Sequence, residues 1–174
     1  MKRKLIIPVL LVFSVFCITS CDEILDKLNI TFEMGPHVVD FEIEPMDKGA
    51  TFASYDVVFH DIEEEIEENG GSMDQLDEVT PKNATITILS GATNFDAFEM
   101  VEVYISTETM SPKKIGWINT IPRGMSSLTP ELSPDNLKAY LQESAFTLTL
   151  KGILRDDVTT SVMLQGSIYF DVNL

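Results

Sequence analysis

Ser161-Val162-Met163-Leu164-Gln165-Gly166-Ser167-Ile168-Tyr169-Phe170-Asp171-Val172 alternates along its whole length. Val162, Leu164, Ile168, Phe170 and Val172 fall on one side, with Gly166 among them. Period two with one apolar face is the pattern of a half-buried β-strand. Gly166 marks either a bulge or a close approach of another chain segment.

Shorter stretches repeat the pattern. Asn29–Met34 sets Ile30, Phe32 and Met34 against Thr31 and Glu33. Val39–Glu44 sets Val39, Phe41 and Ile43 against Asp40, Glu42 and Glu44. Pro36 separates these two, and Pro45, Asp47 and Gly49 follow them, as turn residues do. Further strands are predicted at Ala50–Phe59, Thr85–Leu89, Met100–Ser106, Ile115–Ile121 and Ala145–Leu150. Two short helices interrupt the series. Asp61–Asn69 places Ile62 and Ile66 on one face, with Phe59 one turn before, and Gly70-Gly71 stops it. Ser133-Pro134-Asp135-Asn136 reads as a helix start, with Ser133 as N-cap and Pro134 at the first helical position.

Many short strands with few helices indicate a mainly β fold, an antiparallel β-sandwich. A parallel sheet would need a helix between most strands, and the chain does not supply them. The layout resembles the immunoglobulin-like domains of bacterial envelope lipoproteins in architecture. The Cys…Trp…Cys spacing of immunoglobulin domains is absent, and Trp117 stands alone.

The first residues point to export. Lys2, Arg3 and Lys4 precede Leu5–Ile18, a charge-free segment too short to span a bilayer as a helix. Ile18-Thr19-Ser20-Cys21 resembles the bacterial lipobox. That resemblance implies a signal peptide over residues 1–20, a lipidated Cys21, and an acidic tether over residues 21–28 leading into a single domain at 29–174. Two or three acyl chains anchor a protein stably where one does not. The implied location is the bacterial envelope, attached to a membrane without crossing it. Asp22, Glu23 and Asp26 resemble the acidic export signal of Bacteroidota-type lipoproteins and favour the outer membrane. Asp directly after the Cys also resembles an inner-membrane retention signal, and the acids are equally consistent with a plain solvated linker.

Under this reading Cys17 leaves with the signal and Cys21 carries lipid, so no thiol remains for catalysis, metal binding or a disulfide. About 150 mature residues suffice for one self-sustaining core. The formal net charge of the chain is −16, and loss of three basic residues with the signal makes the mature chain more acidic still. That charge argues against nucleic-acid partners.

Few residues suggest chemistry. Asp61, Glu63, Glu64, Glu65, Glu67 and Glu68 form an acidic run, without the spacing of a calcium loop. On a helix they spread around the polar side, as a solvated face does. His37 and His60 lie on different predicted elements and read as surface or hydrogen-bonded histidines. No metal site and no cofactor is expected. G-x-S-x-G and phosphate-binding glycine motifs are missing. Trp117 shares a predicted strand face with Ile115, Asn119 and Ile121, which favours core, while a solvent-facing Trp117 would stack on a sugar or anchor a protein. Tyr104 and Tyr140 carry the same ambiguity. The expectation is a non-enzymatic binding module for a protein or glycan, with Trp117, Tyr104 and Tyr140 as candidate contacts. A structural subunit pairing through the edge at Asn29–Met34 is the first alternative, and a hydrolase with an unfamiliar site is the second.

Overall fold

A computed structural model describes residues 30–174. The expected signal segment, Cys21 and the expected tether fall outside the described residues. The elements are β1 (Thr31–Ile43), β2 (Thr51–Phe59), α1 (Ile62–Glu68), β3 (Glu78–Ser90), β4 (Phe98–Ser106), β5 (Lys113–Ile118), β6 (Ser127–Leu128), β7 (Glu131–Leu132), α2 (Lys138–Leu141), β8 (Ala145–Leu154) and β9 (Val162–Asn173). The strands form two antiparallel sheets, ordered β1-β9-β3-β6 and β2-β8-β4-β5-β7. The mainly β, two-sheet sandwich with two short helices is the expected architecture. The likeness to immunoglobulin-like domains goes no further than that. There the first strand lies in one sheet and the last in the other, whereas here β1 and β9 are neighbours.

The alternating segment that opened the sequence is β9, and it lies between β1 and β3. Every second residue from Val162 to Val172 is buried. Gly166 stays in register with Val39 and Ile86, so it is no bulge. A Cβ there would lie 2.9 Å from the Phe41 ring and 3.1 Å from Val39. Its bare backbone therefore makes room for two neighbours. From the other sheet, Phe52, Phe98, Val101, Ile105, Phe146, Leu148 and Leu150 join the same core. Burying each such side chain contributes about 1.5–3 kcal/mol.

Three local expectations are corrected. Residues 29–34 and 39–44 were expected as separate strands, yet β1 runs continuously from Thr31 to Ile43. The Pro36 break is absorbed as an irregularity between Met34 and His37, with Gly35 at φ 119°. An edge strand tolerates proline because its outward side owes no ladder bond. β3 likewise begins at Glu78 rather than Thr85 and passes Pro81 with a register shift before Asn83. Finally, Ser133 does not cap a helix. Its hydroxyl donates to Asp135 (2.7 Å), its N–H donates to the Ile115 carbonyl (2.9 Å), and α2 begins only at Lys138.

α1 follows expectation more closely. Asp61 caps it, accepting from the Glu64 N–H at 3.1 Å, and Ile62 and Ile66 are buried. Gly70 and Gly71 donate back to the Glu67 and Ile66 carbonyls, each at 3.0 Å. That is a Schellman ending, with Gly70 at φ 82°. Phe59, expected to pack under this helix, is instead 81% exposed. It ends the outward-facing series of β2 behind Tyr55 and Val57.

The outer edge of β1 is partly closed by side chains of β2. The Asp40 N–H donates to Asp56 (3.2 Å) and the Glu42 N–H donates to the Ser54 hydroxyl (3.0 Å). Among the described residues no helix is long and apolar enough to cross a membrane.

Candidate functional site

β4 alternates with Val101, Val103 and Ile105 buried, which turns Glu102 and Tyr104 outward. On β5 the alternation breaks. Val103 pairs with Gly116 but Tyr104 pairs with Lys114, so Ile115 is an extra residue in its strand. Ile115 and Gly116 are both buried, and Trp117 emerges on the outer face opposite Glu102. Trp117 is therefore half-buried on the solvent side of its sheet, and not on the core-facing side with Ile115 as the even alternation suggested.

Register assembles the outer face in rows. Ala53, Lys151, Glu102, Trp117 and Glu131 follow one another across β2, β8, β4, β5 and β7. Tyr55, Thr149, Tyr104 and Lys114 form the adjacent row. Glu102 is the hub. It accepts from the Tyr104 hydroxyl at 2.8 Å and from Lys114 Nζ at 3.1 Å. The Tyr104 hydrogen bond is the main reason its carboxyl lies below the usual range, with partial burial opposing and Lys114 and Lys151 assisting. The same bond raises the Tyr104 phenol.

The indole N–H of Trp117 donates to Glu131 at 3.0 Å. Lys114 Nζ lies 5.6 Å from the centre of the Trp117 ring, and Lys151 Nζ lies 4.5 Å from that of Tyr104. Beside this cluster, Thr51, Met100, Glu102, Lys151 and Ile153 border a shallow depression of about 440 Å³. The face thus offers flat rings, two cations and two carboxylates held in fixed positions.

The structure brings Trp117 and Tyr104 onto one surface, but not Tyr140. Tyr140 lies on α2, half-buried against the core, and its hydroxyl donates to the Ser111 carbonyl at 3.1 Å. Glu102, Lys114, Lys151 and Glu131 were not anticipated. The strand alternation of β4 implied an outward Glu102, whereas its partners depend on cross-strand register.

The histidines depart from expectation. His37 and His60 meet with ring centres 6.0 Å apart. His37 is 9% exposed, and neither its Nε2 nor either ring nitrogen of His60 has a hydrogen-bond partner. His37 is buried and His60 is half-buried at the rim of a depression. Burial, then the nearby His60, lowers the His37 pKa to about 4. Burial also lowers His60, against an upward pull from Asp61 and the Glu143 main chain.

The acidic run is the solvated face anticipated, with Glu63, Glu64, Glu67 and Glu68 exposed on α1. Among the described residues no group of three or more His, Cys, Asp or Glu is arranged to hold a metal ion. No protein-family model matches the chain, and no curated protein or solved structure matches it.

Proposed function

We propose that this chain is a lipid-anchored envelope protein whose sandwich binds a glycan, without catalysis, on the outer face of the five-stranded sheet. One observation carries the reading: Trp117 and Tyr104 flank the Glu102 carboxylate on a solvent-facing surface beside a depression. Sugars present apolar ring faces and a rim of hydroxyls. Aromatic faces match the former, and fixed carboxylates and ammonium groups match the latter.

Charge supports the glycan over a basic protein partner. Lys114 and Lys151 balance Glu102 and Glu131 locally, in a chain of formal net charge −16. A ligand rich in Lys and Arg would be drawn to the acidic surfaces elsewhere. Both rings are attended by lysines. A sugar stacking on Trp117 displaces Lys114, which keeps Glu102 as its partner.

For the edge-pairing alternative, Thr31–Met34 pairs with β9 on one side and has no strand on the other among the described residues, whereas further along β1 the side chains of β2 occupy the Asp40 and Glu42 N–H groups. The hydrolase alternative draws on a depression where Asp61, Glu63 and Glu143 gather beside His60, but the His60 ring packs on Phe146 and both of its nitrogens are shielded from solvent.

The test is an array of neutral and acidic oligosaccharides probed with the wild-type chain and with Trp117→Ala. Wild-type binding is expected, with affinity falling at least about tenfold in the variant, on the order of 1.4 kcal/mol. Absence of glycan binding by the wild type, or equal binding by a folded Trp117→Ala, rejects the proposal.

A further inference from the structure

His37 belongs to the first sheet and His60 follows β2 of the second. Their rings meet between the sheets at the end of the sandwich that carries α1. Phe146 of the second sheet lies 5.5 Å from His37 and 5.1 Å from His60, and Phe170 of the first lies 5.7 Å from His37. The two phenyl rings are themselves 6.0 Å apart, edge to face. Four rings thus close the seam, two of them titratable and lacking partners for three buried nitrogens. Neutral imidazoles are tolerated in such a place, but a charge on His37 loses its water and gains no hydrogen bond in return, and a charge on His60 is compensated only in part, by Asp61 and the Glu143 main chain, against the cost of burial. A second charge meets the first at ring-contact distance.

We propose that the His37–His60 pair is an acid-triggered latch, joining the two sheets at this end near neutral pH and releasing them on protonation. The pair lies outside the outer-face cluster, and this proposal does not depend on glycan binding. His60 takes the first proton, because Asp61 stands beside it and favours its charged form. Glu63 and Glu143 line the depression outside His60 together with Asp61. On the His37 side the neighbouring rings are apolar. Asp171, next to Phe170 in sequence, is turned outward and paired with Lys82, which also holds Glu33.

The sign of the response follows from burial. Both imidazoles have folded pKa values below the unfolded value near 6.5. Their stabilising contribution is therefore complete above pH 6.5. It is lost as pH falls, the His37 share down to about pH 4. Glu65 on α1 acts oppositely. Its carboxyl is raised by burial and by Glu68, Asp61 and Glu64, so acidification relieves it. The variant Glu65→Gln removes that counter-effect and is the proper background for the measurement.

Amide hydrogen exchange, corrected for intrinsic rates, should be followed from pH 7 to pH 4.5 on the full chain in detergent. Expected is a loss of protection of tenfold or more at residues 34–38, 58–66 and 144–147, accompanied by binding of a hydrophobic dye as Phe146 and Phe170 become accessible. The buried strand β4 should keep its protection. His37→Phe with His60→Phe should abolish the response. Uniform loss across both sheets, or an unchanged response in the double variant, overturns the latch. Imidazole NMR titration of the wild type gives a second readout that needs no variant. Both rings must titrate below 6.5, and ordinary titration near 6.5 rejects the proposal. Stabilisation at pH 7 by Zn²⁺ or Ag⁺ that disappears with His37→Phe would also reject it, because the pair would then be a metal site.

Discussion

Ile66 and Glu64 stand two residues apart on α1, yet one is fully buried and the other is bathed in solvent. Ile66→Ala should cost about 2–5 kcal/mol by leaving a cavity. The pair Glu64→Gln and Glu67→Gln should change stability by no more than about 0.5 kcal/mol, as surface substitutions do. Urea unfolding of the variants side by side measures the contrast, and a larger loss in the glutamine pair would mean the carboxylates hold a ligand. The burial of Ile66 is legible from its four-residue spacing to Ile62. The placement of Trp117 is not, because one extra residue, Ile115, reverses the parity of its strand. The meeting of His37 and His60 is illegible for a different reason. They are far apart in sequence, and only the stacking of two sheets makes them neighbours.

At the scale of elements, regular alternation is the most legible signal, and β9 shows it best. Gly166 supplies its test. Gly166→Ala should destabilise by about 1–3 kcal/mol, since its methyl would press on Phe41 and Val39 and both would have to shift. Thermal unfolding reads this directly, and an unchanged midpoint would show that the core there yields freely. Segments rich in Pro, Asn and Ser were misread because the same residues serve turns, bulges and edges alike. Around Ser133 the decisive interactions are tertiary. The Asn136 carboxamide oxygen accepts from the Val79 and Lys138 N–H groups, and the Leu137 N–H donates to the Val79 carbonyl. Asn136 and Leu137 are thereby committed to the flank of β3 before α2 starts, while Ser133 is held on β5 by Ile115. No local pattern foretells that.

For the whole molecule, the sandwich was legible from many alternating segments and few helices, while strand order was not, because pairing partners leave no mark in one sequence. The proposed anchor is testable at this scale. Cys21→Ala should abolish metabolic labelling with fatty acid and move the protein out of the membrane fraction. Unchanged fractionation of that variant would reject lipid anchoring. A stable attachment of this kind needs more than one acyl chain.

The neighbouring of β1 and β9 also bears on how the fold is reached. The strand at the heart of the first sheet is the last of the described strands to be made, and its partners β1 and β3 are made early. A chain emerging amino end first leaves those two without their shared neighbour until residues 162–173 appear. Pairings this distant in sequence form slowly. The first sheet is thus assembled only after residues 162–173 have been released, a timetable that would suit the export proposed above. Stalled chains ending before residue 162 should accordingly remain open to protease, whereas chains extended past residue 173 should resist it.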